Sequence, residues 1–198
     1  MSRFQLEVRR IGVLALQGDF AEHVRVMTGL GASASEVRHV ADLEGLDGLI
    51  IPGGESTTIG LLMERYALIA PICRLANEGM PIWGTCAGLI LMARDVGRKQ
   101  PLLELLDISV ERNAFGRQRE SFETDLDVQG LDGGKFRAVF IRAPVITTVG
   151  SGVKVLSRLE DNSIVAVQDG HLLGTAFHPE LTQDERLHAH FLSMTSSS

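Results

Sequence analysis

Only two cysteines, Cys73 and Cys86, occur among 198 residues, too few for a disulfide framework, so a reducing, cytoplasmic setting is expected. No uninterrupted apolar run approaches the ~18 residues of a membrane span, and the opening MSRFQLEVRR lacks the apolar core of a signal peptide. Basic residues are in deficit. Lys and Arg number 19 against 25 Asp and Glu, a formal charge of −6, and no basic cluster stands out, which argues against a nucleic-acid or anionic-membrane surface. No linker, repeat or low-complexity segment divides the chain, and no His, Cys, Asp or Glu spacing suggests a metal site. What remains is an ordinary globular composition, 44% hydrophobic and 22% charged. At about 150 residues per domain, residues 1–198 are expected to form one domain with a full core. The 21 glycines point to tight turns or to close approach of backbone to a ligand.

The first half alternates strand-like and helix-like patterns. Ile11 to Leu16 is a short continuous apolar run, as a strand buried on both faces would be. Phe20, Val24, Met27 and Leu30 then recur at helical spacing, with Gly31 able to close the helix. A short strand is expected around 35–40 and a second buried strand from Leu46 to Ile51, stopped by Pro52-Gly53-Gly54. Ser56 and Thr57 are positioned to cap a helix containing Ile59, Leu62 and Met63. A further helix is expected over 69–78, a strand at Pro81 to Trp83 and a helix at Leu89–Ala93. This alternation indicates right-handed βαβ crossovers and a parallel sheet. The second half is a series of short strand-like runs, DISVERN, SFETDLDV, KFRAVFIRAP, VKVLSRL, SIVAVQDG and HLLGTAF, and a final helix is expected at about 184–194. The expected fold is therefore α/β: a mostly parallel central sheet flanked by helices, with an antiparallel extension.

Three segments could carry chemistry. Gly84-Thr85-Cys86-Ala87-Gly88 is a cysteine form of the G-x-S-x-G nucleophile elbow, between an expected strand and an expected helix. A turn this sharp strains the nucleophile's backbone, and flanking glycines leave room for it. The helix N-terminus favours thiolate, and the Ala87 N–H would face an oxyanion. A free cysteine is also commonly just a small core residue. A cysteine nucleophile needs a base and the base an orienting group. Among six histidines, His188 and His190 form no metal pair, and His23, His39 and His171 stand alone as surface or satisfied core residues. His178 differs because Phe177-His178-Pro179-Glu180 follows a strand, and i, i+2 spacing in extended backbone would make His178 and Glu180 neighbours. The third segment is Pro52-Gly53-Gly54-Glu55-Ser56-Thr57, at the carboxyl edge of the sheet where open α/β folds bind ligands. No Lys follows its glycines and no G-x-G-x-x-G is present, so phosphate and dinucleotide cradles lose support.

Together, GTCAG, the later FHPE and the earlier PGGES resemble the class I, triad-type glutamine amidotransferases. The likeness narrows with Leu16-Gln17-Gly18 and Glu22-His23, PGGESTT at 52–58, Arg112-Asn113-Ala114-Phe115-Gly116-Arg117-Gln118, Phe140-Ile141-Arg142-Ala143-Pro144 and FHPELT at 177–182. From about Ile11 to Leu192 the chain is similar to the glutaminase subunits of pyridoxal 5′-phosphate synthases. The resemblance implies a flavodoxin-like amidotransferase fold and hydrolysis of L-glutamine to L-glutamate and ammonia through a cysteinyl thioester. The ammonia would pass to a (β/α)₈-barrel synthase subunit in a hetero-oligomeric complex. It also implies that Cys86 is the nucleophile, His178 the general base and acid, and Glu180 its orienting group, with N–H groups of Gly54 and Ala87 as oxyanion hole. Gly54, Glu55, Ser56, Arg112, Ile141 and Arg142 would hold glutamine, while Gln17 and His23 would lie near the partner interface. No cofactor or metal is implied, since pyridoxal phosphate would be the product of the complex. Two alternatives are an amidotransferase subunit serving another ammonia-using synthase and a non-catalytic, cysteine-based binding or redox module.

Overall fold

A computed structural model of the chain describes residues 8–112 and 121–196. Strand β1 (Arg10–Leu14) leads to helix α1 (Phe20–Gly29), β2 (Ser33–Val37), a 3₁₀ turn at Val40–Leu43 and β3 (Gly48–Ile51). Helices α2 (Ser56–Arg65) and α3 (Ile69–Asn77) precede β4 (Ile82–Thr85) and the short α4 (Ala87–Met92). The chain then becomes mostly strand: β5 (Ala93–Asp95), β6 (Leu106–Glu111), β7 (Ser121–Leu126), β8 (Phe136–Ile141), β9 (Val145–Val149), β10 (Lys154–Arg158), β11 (Ile164–Asp169) and β12 (Leu172–Thr175). A 3₁₀ turn at Pro179–Leu181 and helix α5 (Arg186–Met194) follow. Among the described residues no helix is long and apolar enough to cross a membrane.

The main sheet has the order β2-β1-β3-β4-β12-β11-β9-β6-β5, with β10 paired to β11. Its first five strands are parallel. Every residue of β3, β4 and β12 is buried, as expected where helices cover both faces and strands need no polar side. The remaining strands form the expected extension, antiparallel except where β5 pairs parallel with β6. The α/β class read from the pattern is thus the observed one.

Several details depart from expectation. HLLGTAF does not belong to the antiparallel extension: β12 inserts beside β4 in parallel, with Thr175 opposite Thr85. SFETDL and FRAVFI leave the main sheet and form a separate two-stranded hairpin, β7–β8. The run KFRAVFIRAP ends early because Arg142 takes a φ of 45°, and the strand β9 that follows was not anticipated. Glu55, not Ser56 or Thr57, caps α2, its carboxylate accepting from Thr58 N–H at 2.7 Å. Of the motif at 112–118, all but Arg112 lies outside the described residues.

Glycines flanking Cys86 let α4 sit directly on the sheet. A Cβ on Gly88 would lie 1.9 Å from the Ile51 carbonyl oxygen, and one on Gly84 2.6 Å from Gly88 backbone. Gly88→Ala is therefore expected to destabilise the fold by at least ~3 kcal/mol, since backbone must move. Gly29→Ala, with nothing within 4 Å of the new methyl at the end of α1, should be neutral or stabilising by up to ~1 kcal/mol. Paired denaturant melts of the two variants check this contrast.

Candidate active site

The carboxyl ends of β4 and β12 lie side by side, and what leaves them builds the site. Cys86 N–H donates to the Thr175 carbonyl at 2.8 Å, so the cysteine begins where the last parallel pair stops. Its backbone is at φ 47° and ψ −101°, the strained turn expected of an elbow, and the residue is 7% exposed. Three residues past Thr175, His178 N–H donates to the Val139 carbonyl at 2.8 Å, and Cys86 Sγ lies 3.9 Å from the Ile141 carbonyl. Strand β8 thus braces both residues. Phe140 faces Phe177 at 5.5 Å and keeps the hairpin seated there.

His178 Nδ1 is 2.7 Å from Glu180 Oε1. The two are neighbours as expected, although through the 3₁₀ turn at Pro179–Leu181 and not along extended backbone. Burial opposes a charged His178, but the hydrogen bonds to Cys86 and Glu180 and their charges outweigh it and push its pKa up to about 10. Burial likewise opposes the Glu180 carboxylate, yet its two histidine neighbours, His23 and His178, hold its pKa well below the usual range. The result is a buried imidazolium–carboxylate pair against the cysteine. Asp19 Oδ2 lies 3.6 Å from His178 Nδ1. Burial raises the Asp19 carboxyl, against the pull of His178. Ligand-type atoms of Asp19, His178 and Glu180 all come within 4.8 Å. Because His178 Nδ1 carries the proton given to Glu180, it has no lone pair there for a metal ion.

The PGGES segment closes the site from β3. A Cβ on Gly53 would lie 2.4 Å from His178 Cε1, so the backbone passes directly over the imidazole. The Gly53 carbonyl accepts from Asp19 N–H at 3.1 Å, and Gln17 Oε1 accepts from Glu55 N–H at 2.7 Å. Asp19 therefore fixes the orientation of the Gly53–Gly54 peptide and Gln17 that of the Gly54–Glu55 peptide. Gln17 thus contacts the site itself. Arg112 pairs with Glu55 at 2.8 Å and donates to Thr57 Oγ1 at 3.1 Å and Gln100 Oε1 at 3.2 Å. Arg98 also donates to the Thr57 hydroxyl. Ser56 is buried beside Gln100. Burial opposes the Glu55 carboxylate, but the Thr58 N–H and Arg112 hold its pKa down to about 2. Ile141 and Arg142 are exposed at the end of β8, and Ala87 N opens α4.

His23 is fully buried and has no surface to offer a docking partner. Its Nε2 lies 3.3 Å from Glu180 Oε2 and 3.3 Å from Thr85 Oγ1, and its Nδ1 is 2.9 Å from Nε2 of the equally buried His188. The sequence held a signal for both. His23, Val26 and Met27 share one helical face, as do His188 and Phe191, and these faces are buried. Asp19 carried no comparable signal.

The SNO glutamine amidotransferase family matches residues 13–197. A protein of a Parafrankia species, pyridoxal 5′-phosphate synthase subunit PdxT, is 56% identical over 191 residues, covering 95% of this chain and 94% of that one. The protein of the same name from Niallia circulans is 55% identical over 186 residues, 93% of this chain and 97% of its own. A crystal structure of a glutamine amidotransferase superposes with a TM-score of 0.90 at 51% identity, covering 94% of this chain and 98% of its own.

The buried histidine behind the site makes an acid-stability prediction. Burial pushes His188 down to about 3, so between pH 6.5 and about 3 the unfolded chain binds a proton that the native fold refuses. Stability is expected to fall with pH through that window, by at most ~1.4 kcal/mol per pH unit from this residue. His188→Phe should flatten the slope of unfolding free energy against pH. An unchanged slope would show that His188 is not the group responsible.

Proposed function

The chain belongs to the SNO glutamine amidotransferase family, and from that premise we propose that it is the glutaminase subunit of a pyridoxal 5′-phosphate synthase, with Cys86, His178 and Glu180 as its triad. The observation that carries this reading is the 2.7 Å His178–Glu180 contact beside a cysteine in a strained elbow, three groups joined by one strand pairing. In the reaction, the Cys86 proton resides on His178, and the thiolate attacks the side-chain amide carbon of L-glutamine. The oxyanion is held by the N–H groups of Gly54 and Ala87. His178 gives its proton to the departing nitrogen, ammonia leaves, and a γ-glutamyl thioester remains on Cys86. Water, deprotonated by His178, cleaves the thioester to L-glutamate and restores the thiol proton to the pair. Glu180 keeps Nδ1 protonated throughout, so the other ring nitrogen does the transfers.

Substrate is held by Gly54, Glu55, Ser56 and Arg112, with Ile141 and Arg142 beside the side chain. Arg112 is engaged with Glu55 in the free chain. An incoming α-carboxylate and α-ammonium would share that pair, the guanidinium taking the carboxylate and Glu55 the ammonium. Ammonia passes to a (β/α)₈-barrel synthase subunit in a hetero-oligomer. Docking of that subunit flips the Gly53–Gly54 peptide, exchanging the Asp19 N–H bond to the Gly53 carbonyl for a Gly54 N–H aimed at the oxyanion. The activity is placed in the cytoplasm, in keeping with unpaired Cys73 and Cys86.

Glutamate released from glutamine, by this chain alone and mixed with a barrel synthase subunit, tests the reading. Completing an oxyanion hole with one donor should raise the rate on the order of 100-fold, and Cys86→Ala should fold and release nothing. Activity indifferent to the barrel would remove the named partner, and activity retained in Cys86→Ala would remove the mechanism. Arg112→Lys is expected to raise KM about tenfold or more, because a point charge cannot replace the bidentate contact.

A further inference from the structure

Behind the triad lies a second layer of titratable groups that the chemistry above does not use. His23 from α1 and His188 from α5 are both 0% exposed. They meet at 2.9 Å beside Trp83, whose ring centroid is 4.9 Å from that of His188 and 5.8 Å from that of His23. The other titratable groups facing them are Glu180 and His178 from the 3₁₀ turn and Asp19 from the loop before α1.

Satisfying the protons fixes the direction of this chain. His188 is neutral and has one N–H to place. Its Nδ1 has no hydrogen-bond partner among the described residues, so a proton there would be a buried donor with nothing to meet, a cost of ~1–3 kcal/mol. The proton therefore sits on Nε2 and donates to His23 Nδ1. His23 then carries its own proton on Nε2, which faces Thr85 Oγ1 and Glu180 Oε2, each at 3.3 Å. Glu180 Oε2 is buried and makes no aligned hydrogen bond of its own.

We propose that His23 is a positioning residue of this site: with its tautomer set by His188, its Nε2–H holds the second oxygen of Glu180 and thereby keeps the first aimed at His178. The inference rests on the glutaminase reading of Cys86, His178 and Glu180. Thr85, the second residue of GTCAG, shares the same proton, so the elbow and the relay are tied at one point.

The test uses the full chain with its barrel partner, comparing wild type with His23→Leu, His23→Gln and His188→Phe. His23→Leu should lower kcat about 10- to 100-fold, the range for a partner one step removed from the chemistry, with KM for glutamine nearly unchanged. A less firmly held Glu180 supports the His178 proton less well, so the alkaline limb of the kcat profile should move to lower pH. His23→Gln, whose amide keeps an N–H near the Nε2 position, should recover most of kcat and the limb. His188→Phe fills the same space beside Trp83 and should lower kcat by a smaller factor, which keeps the inference testable if His23→Leu does not fold. Nitrogen-15 spectra of labelled wild type should show His23 and His188 both protonated at Nε2, a readout needing no reaction. Wild-type kcat in His23→Leu, equal impairment of the Leu and Gln variants at equal melting temperature, or a proton on His188 Nδ1 would each overturn the inference. A wild type that releases no glutamate would sink the glutaminase reading, while the imidazole spectra would still decide the direction of the chain.

Discussion

Thr175 sits opposite Thr85, and the next backbone N–H along β4, that of Cys86, closes on the Thr175 carbonyl. Because β4 and β12 run parallel, both chains leave the sheet at the same edge, one turning into the elbow and the other into Phe177-His178-Pro179-Glu180. The register cannot drift. A slip of one residue would carry His178 ~3.3 Å along the edge and send the inward side chains of β12 to the other face. Since β12 is buried throughout, no polar face would tolerate the exchange. An all-antiparallel second half would have put the imidazole at the far end of a strand. The parallel insertion of β12 is therefore the topological event that brings together Cys86 and His178, 92 positions apart in sequence.

Holding His178 and Glu180 in a dry setting demands compensation. Removing one partner from a buried ion pair typically costs ~3–5 kcal/mol, because the other charge is left without water or counter-charge. Glu180 is 1% exposed and His178 4%. Their mutual contact answers for one carboxylate oxygen, and His23 Nε2 lies 3.3 Å from the other. Backbone from three other elements completes the enclosure: Val139 and Ile141 of the hairpin, Gly53 from beyond β3, and the loop at 17–19. The hairpin approaches through main-chain carbonyls and Gly53 through the absence of a side chain, so the site is defined as much by backbone path as by its reactive groups.

Much of this was legible from residues alone. Short apolar runs alternating with helical spacing gave the parallel half, because strands covered on both faces leave no ambiguity of face. The elbow was readable because its glycines answer to sterics that the structure bears out at Gly84 and Gly88. What escaped reading depended on distance. Nothing local distinguishes HLLGTAF as a central parallel strand from an antiparallel neighbour; β11 offers it one partner and β4 the other. The cap of α2 differs for a local reason: Glu55, one residue before Ser56, accepts from Thr58 N–H, and Arg112 from the end of β6 pairs with the same carboxylate. His23 was read through its motif when its own spacing with Val26 and Met27 already placed it inside. His188, on the same logic, was one step from Phe191 on a buried face.

Trp83 is the only tryptophan in the chain, and it lies wholly inside against both relay histidines and Phe191. An indole excited beside an imidazole loses emission when that imidazole becomes a cation. The molecule consequently carries one indole, placed where it faces the layer behind Cys86, His178 and Glu180 and almost nothing of the surface. Its emission is an optical window on the interior proton inventory. It is free of background from other indoles in this chain, and it can be followed on whatever timescale substrate arrives or a tryptophan-free partner docks.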